Sequence, residues 1–261
     1  GVVPYRRGEL EEGWKVFQKR MGISHYIGSR YLFILAPNKQ SVYPEYLPSG
    51  IGERGGITRG DQLSKMLRRN GAAASFLDLR PLLRQAKKKY SRLYLKTDTH
   101  WNQRGAFLAY RAVVEKLQGN HSEPVLLDES ALRIRRGPSK RGDLAEMMGV
   151  KPFLREETLF LSVKSPSARR DDDLANFLKR YDKRYSVKYK RPIANINPDG
   201  HLNVVLFRDS FSSDMIPYYA ESFHRMVIYY EPFNTRLLYE LVTQGKFHPD
   251  LIIEELIERS L

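Results

Sequence analysis

The chain has 261 residues, 41% of them hydrophobic and 28% charged, which suits one large α/β domain or two small ones with a substantial core. Lys and Arg outnumber Asp and Glu by 44 to 30, so the formal net charge of +14 favours polyanionic partners such as nucleic acid, anionic lipid surfaces or acidic polysaccharides. Cysteine is absent, which excludes disulfides, a thiol nucleophile and thiolate metal ligands.

The first half of the chain alternates patterns of helix and strand. Segments whose apolar residues recur about every 3.6 positions predict helices, and continuous apolar runs predict buried parallel strands. In chain order these are a helix over 9–22, a strand over 31–36, a helix over 58–70, a strand over 74–79, and helices near 80–89 and over 105–117.

Residues 119–200 are less periodic, because clusters of Gly, Pro, Ser and charged residues interrupt them. We expect a peripheral insertion there, with some strand such as 158–163, within a single domain over 1–261. The pattern resumes with a strand over 202–207, a helix over 213–224, a strand over 226–230, a helix over 233–244 and a strand over 251–254. Strands that alternate with helices predict an α/β sandwich with a mainly parallel central sheet flanked by helices.

Ser210 stands just after the apolar run 204–207, where a predicted strand turns into a helix. A serine at such a turn can point its hydroxyl out of the carboxyl edge of the sheet, where ligands bind in open α/β folds. The same turn aims backbone N–H groups at the point where an oxyanion would develop. Ser210 is therefore a candidate nucleophile, although a serine in this position can also simply cap the helix.

Asp98 and His100 lie two residues apart in the run 97–102. A serine hydroxyl needs a base to remove its proton, and a carboxylate at the other ring nitrogen fixes the tautomer of the imidazole. We expect both side chains on one side of an extended segment, since side chains alternate along a strand. Ser210, His100 and Asp98 then supply the three groups of an acyl-transfer triad; the alternative is a structural histidine beside a capping aspartate.

Four further residues are weaker candidates for substrate binding or oxyanion support. Lys39 follows a strand and can polarise a substrate or hold a loop carbonyl. Trp101 can stack on a sugar or belong to the core, and Asn102 follows it in the same run. Arg208 precedes the candidate nucleophile and can touch substrate or pair with a nearby carboxylate.

Other classes of function have less support. His121, His201 and His248 offer imidazoles, but no compact ligand spacing accompanies them, so we predict no metal site and no cofactor. No helix-turn-helix, zinc-finger or RNA-binding signature is present, so nucleic acid is not an expected partner. No run approaches the roughly 20 apolar residues of a transmembrane helix, and the first residues do not form a signal peptide.

Several stretches together resemble the alginate O-acetyltransferase family of the AlgJ/AlgX type, a branch of the SGNH hydrolase-like superfamily. The likeness spans roughly residues 31–261, and its most specific part is the Asp98/His100 motif. Arg208 departs from the family pattern, because a glycine would complete a Gly-Asp-Ser block there. The stretches that carry the resemblance are 36–48, 94–105, 142–149, 206–211 and 249–259.

The resemblance implies an SGNH hydrolase-like three-layer sandwich with a permuted motif order, the Asp/His pair preceding the serine. It implies an enzyme in which Ser210 is the nucleophile, His100 the base and Asp98 the orienting acid. The expected reaction is transfer of an acetyl group to hydroxyls of an exported, anionic, alginate-like polysaccharide through an acetyl-serine intermediate. The donor would come from a membrane-bound O-acyltransferase partner. The expected location is the periplasm or cell envelope, with any membrane anchor in a segment absent from this chain.

Two alternatives stay open. An acetyl esterase of the same fold would use the same three residues, since water and a sugar hydroxyl compete for one acyl-enzyme. A non-catalytic protein could keep the fold and use its positive charge to bind a polyanion.

Overall fold

The computed structural model describes residues 3–49, 56–90, 92–118, 124–139, 142–185, 191–244 and 247–261. Nine strands are defined there: β1 (Arg30–Ala36), β2 (Phe76–Asp78), β3 (Leu132–Pro138), β4 (Glu157–Val163), β5 (Arg169–Arg170), β6 (Ile193–Ile196), β7 (Asn203–Phe207), β8 (Arg225–Tyr229) and β9 (Leu251–Ile257). The α-helices of the same residues are α1 (Arg7–Tyr26), α2 (Lys39–Val42), α3 (Arg59–Arg69), α4 (Arg80–Ala86), α5 (Gln103–Leu117), α6 (Asp143–Met147), α7 (Asp172–Tyr185), α8 (Ile216–Ser222) and α9 (Thr235–Thr243).

The main sheet has seven strands in the order β2-β1-β9-β7-β8-β6-β5. The strands from β2 to β8 in this order are parallel to one another, and β6 and β5 add antiparallel pairs at one edge. Because β1, β9 and β7 are parallel neighbours, their carboxyl ends meet at one edge of the sheet. The loops that leave these three strands therefore lie side by side, which is where an open α/β fold forms its ligand site.

Both faces of the sheet are covered. In β1, Leu32 and Ile34 join one core cluster with α5 and α8, whereas Tyr31, Phe33 and Leu35 join a second cluster with α1, α3 and α9. A strand that is buried on both faces needs apolar residues at every position, which explains the uninterrupted apolar run of this strand. The prediction of an α/β sandwich with a mainly parallel sheet is confirmed.

The segment predicted as a peripheral insertion contains two structures. β3 and β4 pair in a separate antiparallel sheet, and their residues Leu132 and Leu161 are buried in the core cluster that contains α5. Farther along the chain, β5 and β6 extend the main sheet at one edge. Helix α7 packs on one face of this sheet, in the second core cluster. Residues 119–123, 140, 141 and 186–190 of that segment lie outside the described residues.

Several predicted boundaries are wrong, among them those of the helix after β7 and of strand β9. The helix expected over 213–224 is a short 3-10 turn at Phe211–Asp214 followed by α8, because Pro217 has no N–H and favours the first turn of a new helix. Strand β9 does not end at Glu254 but continues to Ile257, with both Glu254 and Glu255 buried. In the part of the chain that the structure describes, no helix combines the length and the apolar character needed to cross a bilayer.

Candidate active site

The turn after β7 presents Ser210 at the carboxyl edge of the sheet. Its shape is set by Asp209, whose Oδ1 accepts a hydrogen bond from the backbone N–H of Phe211 at 2.8 Å. The Oδ2 of Asp209 accepts one from the N–H of Ile257, at the end of β9, at 2.7 Å. Asp209 thus stabilises the turn internally and connects it to the neighbouring strand β9. Ser210 is half-buried and directly precedes the 3-10 turn.

Asp98 and His100 form a compact turn. Asp98 Oδ1 accepts hydrogen bonds from the backbone N–H of His100 at 2.9 Å and from its ring Nδ1 at 2.7 Å. Residues 96–100 are not a strand, so the expectation of an extended segment is wrong. An aspartate readily bonds to the backbone two residues on, and this local turn brings the carboxylate and imidazole together.

His100 joins this turn to the serine 110 residues farther along the chain. Its Nε2 lies 2.8 Å from Ser210 Oγ. With Nδ1–H donating to Asp98, Nε2 accepts the proton of the serine hydroxyl. The rings of His100 and Phe211 lie 4.7 Å apart between centroids, so the imidazole also packs on the residue that follows Ser210.

The carboxylate of Asp98 is stabilised from a third segment of the chain. Its Oδ2 accepts hydrogen bonds from the backbone N–H groups of Gly142 at 2.8 Å and Asp143 at 3.1 Å. Burial opposes the charged form, but the hydrogen bonds from His100 and these two amides outweigh it and hold the pKa of Asp98 well below its ordinary value. Gly142 has a φ of +147°, a conformation that favours glycine.

The family model for the SGNH hydrolase-like domain of acetyltransferase AlgX matches residues 3–184 of the chain. The chain belongs to this family. Asp98 and His100 lie inside the matched range, and Ser210 lies beyond it. The prediction of an AlgJ/AlgX-type, SGNH hydrolase-like chain is confirmed.

Similar proteins extend the AlgX-family likeness. A probable alginate O-acetylase AlgJ of Pseudomonas aeruginosa is 25% identical over 150 residues, which cover 57% of this chain and 37% of that protein's length. Among solved structures, Bacillus cereus PatB1 with a sulfonyl adduct has a TM-score of 0.69 at 16% identity, covering 98% of this chain and 90% of the other. The O-acetyltransferase domain of Pseudomonas putida AlgJ has a TM-score of 0.59 at 20% identity, covering 96% and 82%. These two structures share the fold.

Lys39, the first of the four weaker candidates, holds the loop that carries Asp98. Its Nζ donates to the backbone carbonyls of Lys96 at 3.0 Å and Asp98 at 3.1 Å. Burial lowers the pKa of Lys39, and the nearby carboxylates oppose that shift. Of its two predicted roles, the structure shows the one in which it binds a loop carbonyl.

Trp101 and Asn102 are not available to a substrate in this AlgX-family site. The indole of Trp101 has no exposed surface, and its Nε1–H donates to the backbone carbonyl of Phe211 at 3.0 Å. Asn102 is buried and caps α5: its Oδ1 accepts from Gly105 N–H at 3.0 Å and its Nδ2 donates to the carbonyl of Arg92 at 2.9 Å. The prediction that they contact substrate is therefore wrong, because both side chains are buried and form internal hydrogen bonds.

Arg208 is likewise turned inward. Its Nη1 donates to the carbonyl of Asp209 at 3.0 Å and to Ser213 Oγ at 2.7 Å, and its guanidinium lies 4.4 Å from the ring centroid of Tyr230. The side chain is buried, and it contacts the nucleophile turn instead of facing solvent, where a substrate would bind.

The structure adds a residue that sequence reasoning did not assign to the site. The carboxylate of Asp143 accepts hydrogen bonds from the backbone N–H and hydroxyl of Thr99, and it lies 3.6 Å from His100 Nδ1. The only sequence signal was its place in the stretch 142–149 that carries the family resemblance.

Asp98, His100 and Asp143 are also the group of potential metal-binding side chains found among the described residues. Hydrogen bonds within the group and to backbone amides already account for its arrangement. His201 and His248 do not belong to it, and His121 lies outside the described residues.

Proposed function

We propose that this chain is an O-acetyltransferase that moves an acetyl group onto hydroxyls of an exported bacterial polysaccharide through an acetyl-Ser210 intermediate. The observation that carries the proposal is the continuous hydrogen-bonded series from Ser210 Oγ to His100 Nε2, at 2.8 Å, and from His100 Nδ1 to Asp98, at 2.7 Å. Membership of the AlgX family supports an acyltransferase, as do its similarities to the probable alginate O-acetylase of P. aeruginosa and the O-acetyltransferase domain of P. putida.

The first half-reaction acetylates the serine. Ser210 Oγ attacks the carbonyl carbon of the acetyl donor while its proton passes to His100 Nε2, and the carboxylate of Asp98 stabilises the imidazolium that forms. Collapse of the tetrahedral intermediate breaks the bond to the leaving group, which takes the proton from Nε2. Among the described residues none accepts a hydrogen bond from the Ser210 N–H, so this amide is free to donate to the oxyanion.

The second half-reaction uses the same groups in reverse. A sugar hydroxyl gives its proton to His100 Nε2 and attacks the acetyl carbonyl, and Ser210 recovers the proton as the ester bond breaks. Ser210 is half-exposed and the His100 side chain is 18% exposed, so both can be reached from solvent. Water can therefore replace the sugar, which makes esterase activity the second candidate.

An anionic acceptor fits the charge at this edge of the sheet. Arg259, just beyond β9, is exposed and holds its guanidinium 5.2 Å from the ring centroid of Phe211, beside Ser210. Its guanidinium forms no ion pair with the described residues. Together with the net charge of +14, it favours a carboxylate-bearing, alginate-like polymer. We place the reaction in the periplasm, with the donor supplied by a membrane-bound O-acyltransferase; both follow from the family resemblance.

Intact mass spectrometry after brief exposure to 4-nitrophenyl acetate tests the proposal. We expect one added acetyl group on the wild type, mapped to Ser210, and none on Ser210→Ala. Ser167→Ala is the matched control, because Ser167 is exposed and its backbone N–H donates to Glu221, a residue outside the triad.

Candidate polysaccharides then separate the two activities, because transfer puts the acetyl group on the polymer and hydrolysis releases acetate. A wild type that gains no acetyl group and turns over no ester would overturn the catalytic proposal in favour of polymer binding alone.

A further inference from the structure

A buried glutamate lies directly beneath the nucleophile turn. Glu255 is 2% exposed, and its Oε2 accepts hydrogen bonds from Ser212 Oγ at 2.8 Å and from the backbone N–H of Asp209 at 3.3 Å. Ser210 lies between these two residues in the chain. Glu255 thus contacts the turn on both sides of the candidate nucleophile.

Glu255 shares its environment with a second acid. The negative charge of Asp209 acts on the Glu255 carboxyl group. Both carboxylate oxygens of Asp209 already accept backbone N–H groups, from Phe211 and Ile257. The second oxygen of Glu255, Oε1, is buried and has no hydrogen-bond partner among the described residues, so a proton on this oxygen removes an uncompensated buried charge. Burial, reinforced by the charge of Asp209, raises the pKa of Glu255 well above its ordinary value.

The other ionisable groups that face Glu255 do not neutralise it. Arg208 directs its Nη1 to Ser213 and the Asp209 carbonyl, and Tyr219 on α8 is a buried phenol whose pKa burial raises well above its ordinary value. No ion pair involves Glu255 among the described residues. Its neighbour Glu254 points to the opposite face of β9, where it pairs with Arg20 at 2.8 Å. Glu254 is therefore paired with a cation, whereas Glu255 forms no ion pair with the described residues.

We propose that Glu255 is a positioning residue that acts as a neutral carboxylic acid, holding the turn 209–212 so that Ser210 Oγ faces His100. The proposal rests on the proposed role of Ser210 as nucleophile. We place the proton on Oε1, directed at the Asp209 carboxylate, while Oε2 accepts the hydrogen bonds of Ser212 and the Asp209 amide. Loss of that proton would bring a second negative charge close to Asp209 in a buried site, and the turn would lose its support.

Infrared difference spectroscopy tests the protonation state without reference to activity. At neutral pH the wild type minus Glu255→Gln should show the C=O stretch of a protonated carboxylic acid, and the wild type minus Glu254→Gln should not. Absence of that band from the first difference would overturn the proposal. This measurement stands even if Ser210 proves not to be the nucleophile.

Labelling of Ser210 by phenylmethanesulfonyl fluoride tests the positioning role. In this reaction Ser210 Oγ bonds to sulfur, the S–F bond breaks, fluoride leaves, and the hydroxyl proton passes to His100 and then to solvent. Glu255→Gln should label nearly as fast as the wild type, because an amide keeps one donor for Asp209 and one acceptor for Ser212. Glu255→Leu should label about 100-fold more slowly, the usual cost of misplacing a reacting atom by about 1 Å.

Rescue by glutamine separates positioning from simple packing. Equal loss of labelling in Glu255→Gln and Glu255→Leu would show that a neutral amide cannot replace the acid, and it would overturn the proposal. If Glu255→Leu does not fold, the rate of Glu255→Gln against the Glu254→Gln control decides the question. A wild type that does not label at Ser210 contradicts the proposed function, whereas the infrared result alone bears on Glu255.

Discussion

Replacing Trp101 by phenylalanine should weaken both the fold and the site. The indole is fully buried, and its N–H···O bond to Phe211, at 3.0 Å, joins the segment of His100 to that of Ser210. Loss of a buried hydrogen bond costs about 1 kcal/mol, and the volume left by the smaller ring adds a similar penalty, so unfolding should become easier by about 2–3 kcal/mol. Because the bond spans the two halves of the triad, labelling of Ser210 should also slow by about tenfold.

Urea unfolding followed by circular dichroism measures the first effect, and the sulfonyl fluoride reaction measures the second. Trp14→Phe is the matched control, since Trp14 is half-exposed and stacks on Phe17 with a centroid separation of 6.0 Å. It should cost less than about 1 kcal/mol and leave labelling unchanged. If Trp101→Phe behaves like this control, the buried hydrogen bond does not couple the two segments.

Four further outcomes follow from the site. Asp98→Asn should lower ester turnover by about 10⁴-fold, because an amide cannot stabilise the imidazolium; near-normal turnover would exclude the triad. The lowered pKa of Asp98 gives stability that is present at neutral pH and lost as the pH falls below about 4, so urea midpoints should be less acid-sensitive in Asp98→Asn. The raised pKa of Glu255 gives stability that is full below about 4.3 and is lost as the pH rises from there, so Glu255→Gln should flatten the decline above that pH; an unchanged slope in either variant would contradict the corresponding pKa shift. Arg259→Gln should raise KM for an anionic polymer and leave hydrolysis of 4-nitrophenyl acetate unchanged, and salt added to the wild type should act in the same direction.

The strands of the central sheet could be predicted because a buried strand has a continuous run of apolar residues, which is visible in the local sequence. The expected strands over 31–36 and 202–207 differ from β1 and β7 by one residue at their starts, since a strand covered on both faces needs an unbroken apolar run. Apart from β4, the short elements between 119 and 200 were missed for the opposite reason. The first turn of α6, for example, is fixed by a distant contact in which Ala145 N–H donates to the carbonyl of Thr97 at 3.1 Å, and no local pattern encodes it.

The candidate triad could be assembled from sequence because its three side chains have distinctive chemistry, but the groups that hold it in place could not. Glu255 follows an apolar run and has the composition of a strand end at the surface, so the predicted strand stops one residue before it. Its burial becomes tolerable only when Asp209 and Ser212, more than 40 positions away, provide hydrogen bonds and a place for its proton. A glutamate inside a buried strand contradicts local propensity. Glu255 lies at the edge of the sheet where the strand contacts the nucleophile turn. That conflict between local pattern and observed burial is itself the strongest structural pointer to a role for Glu255 in the site.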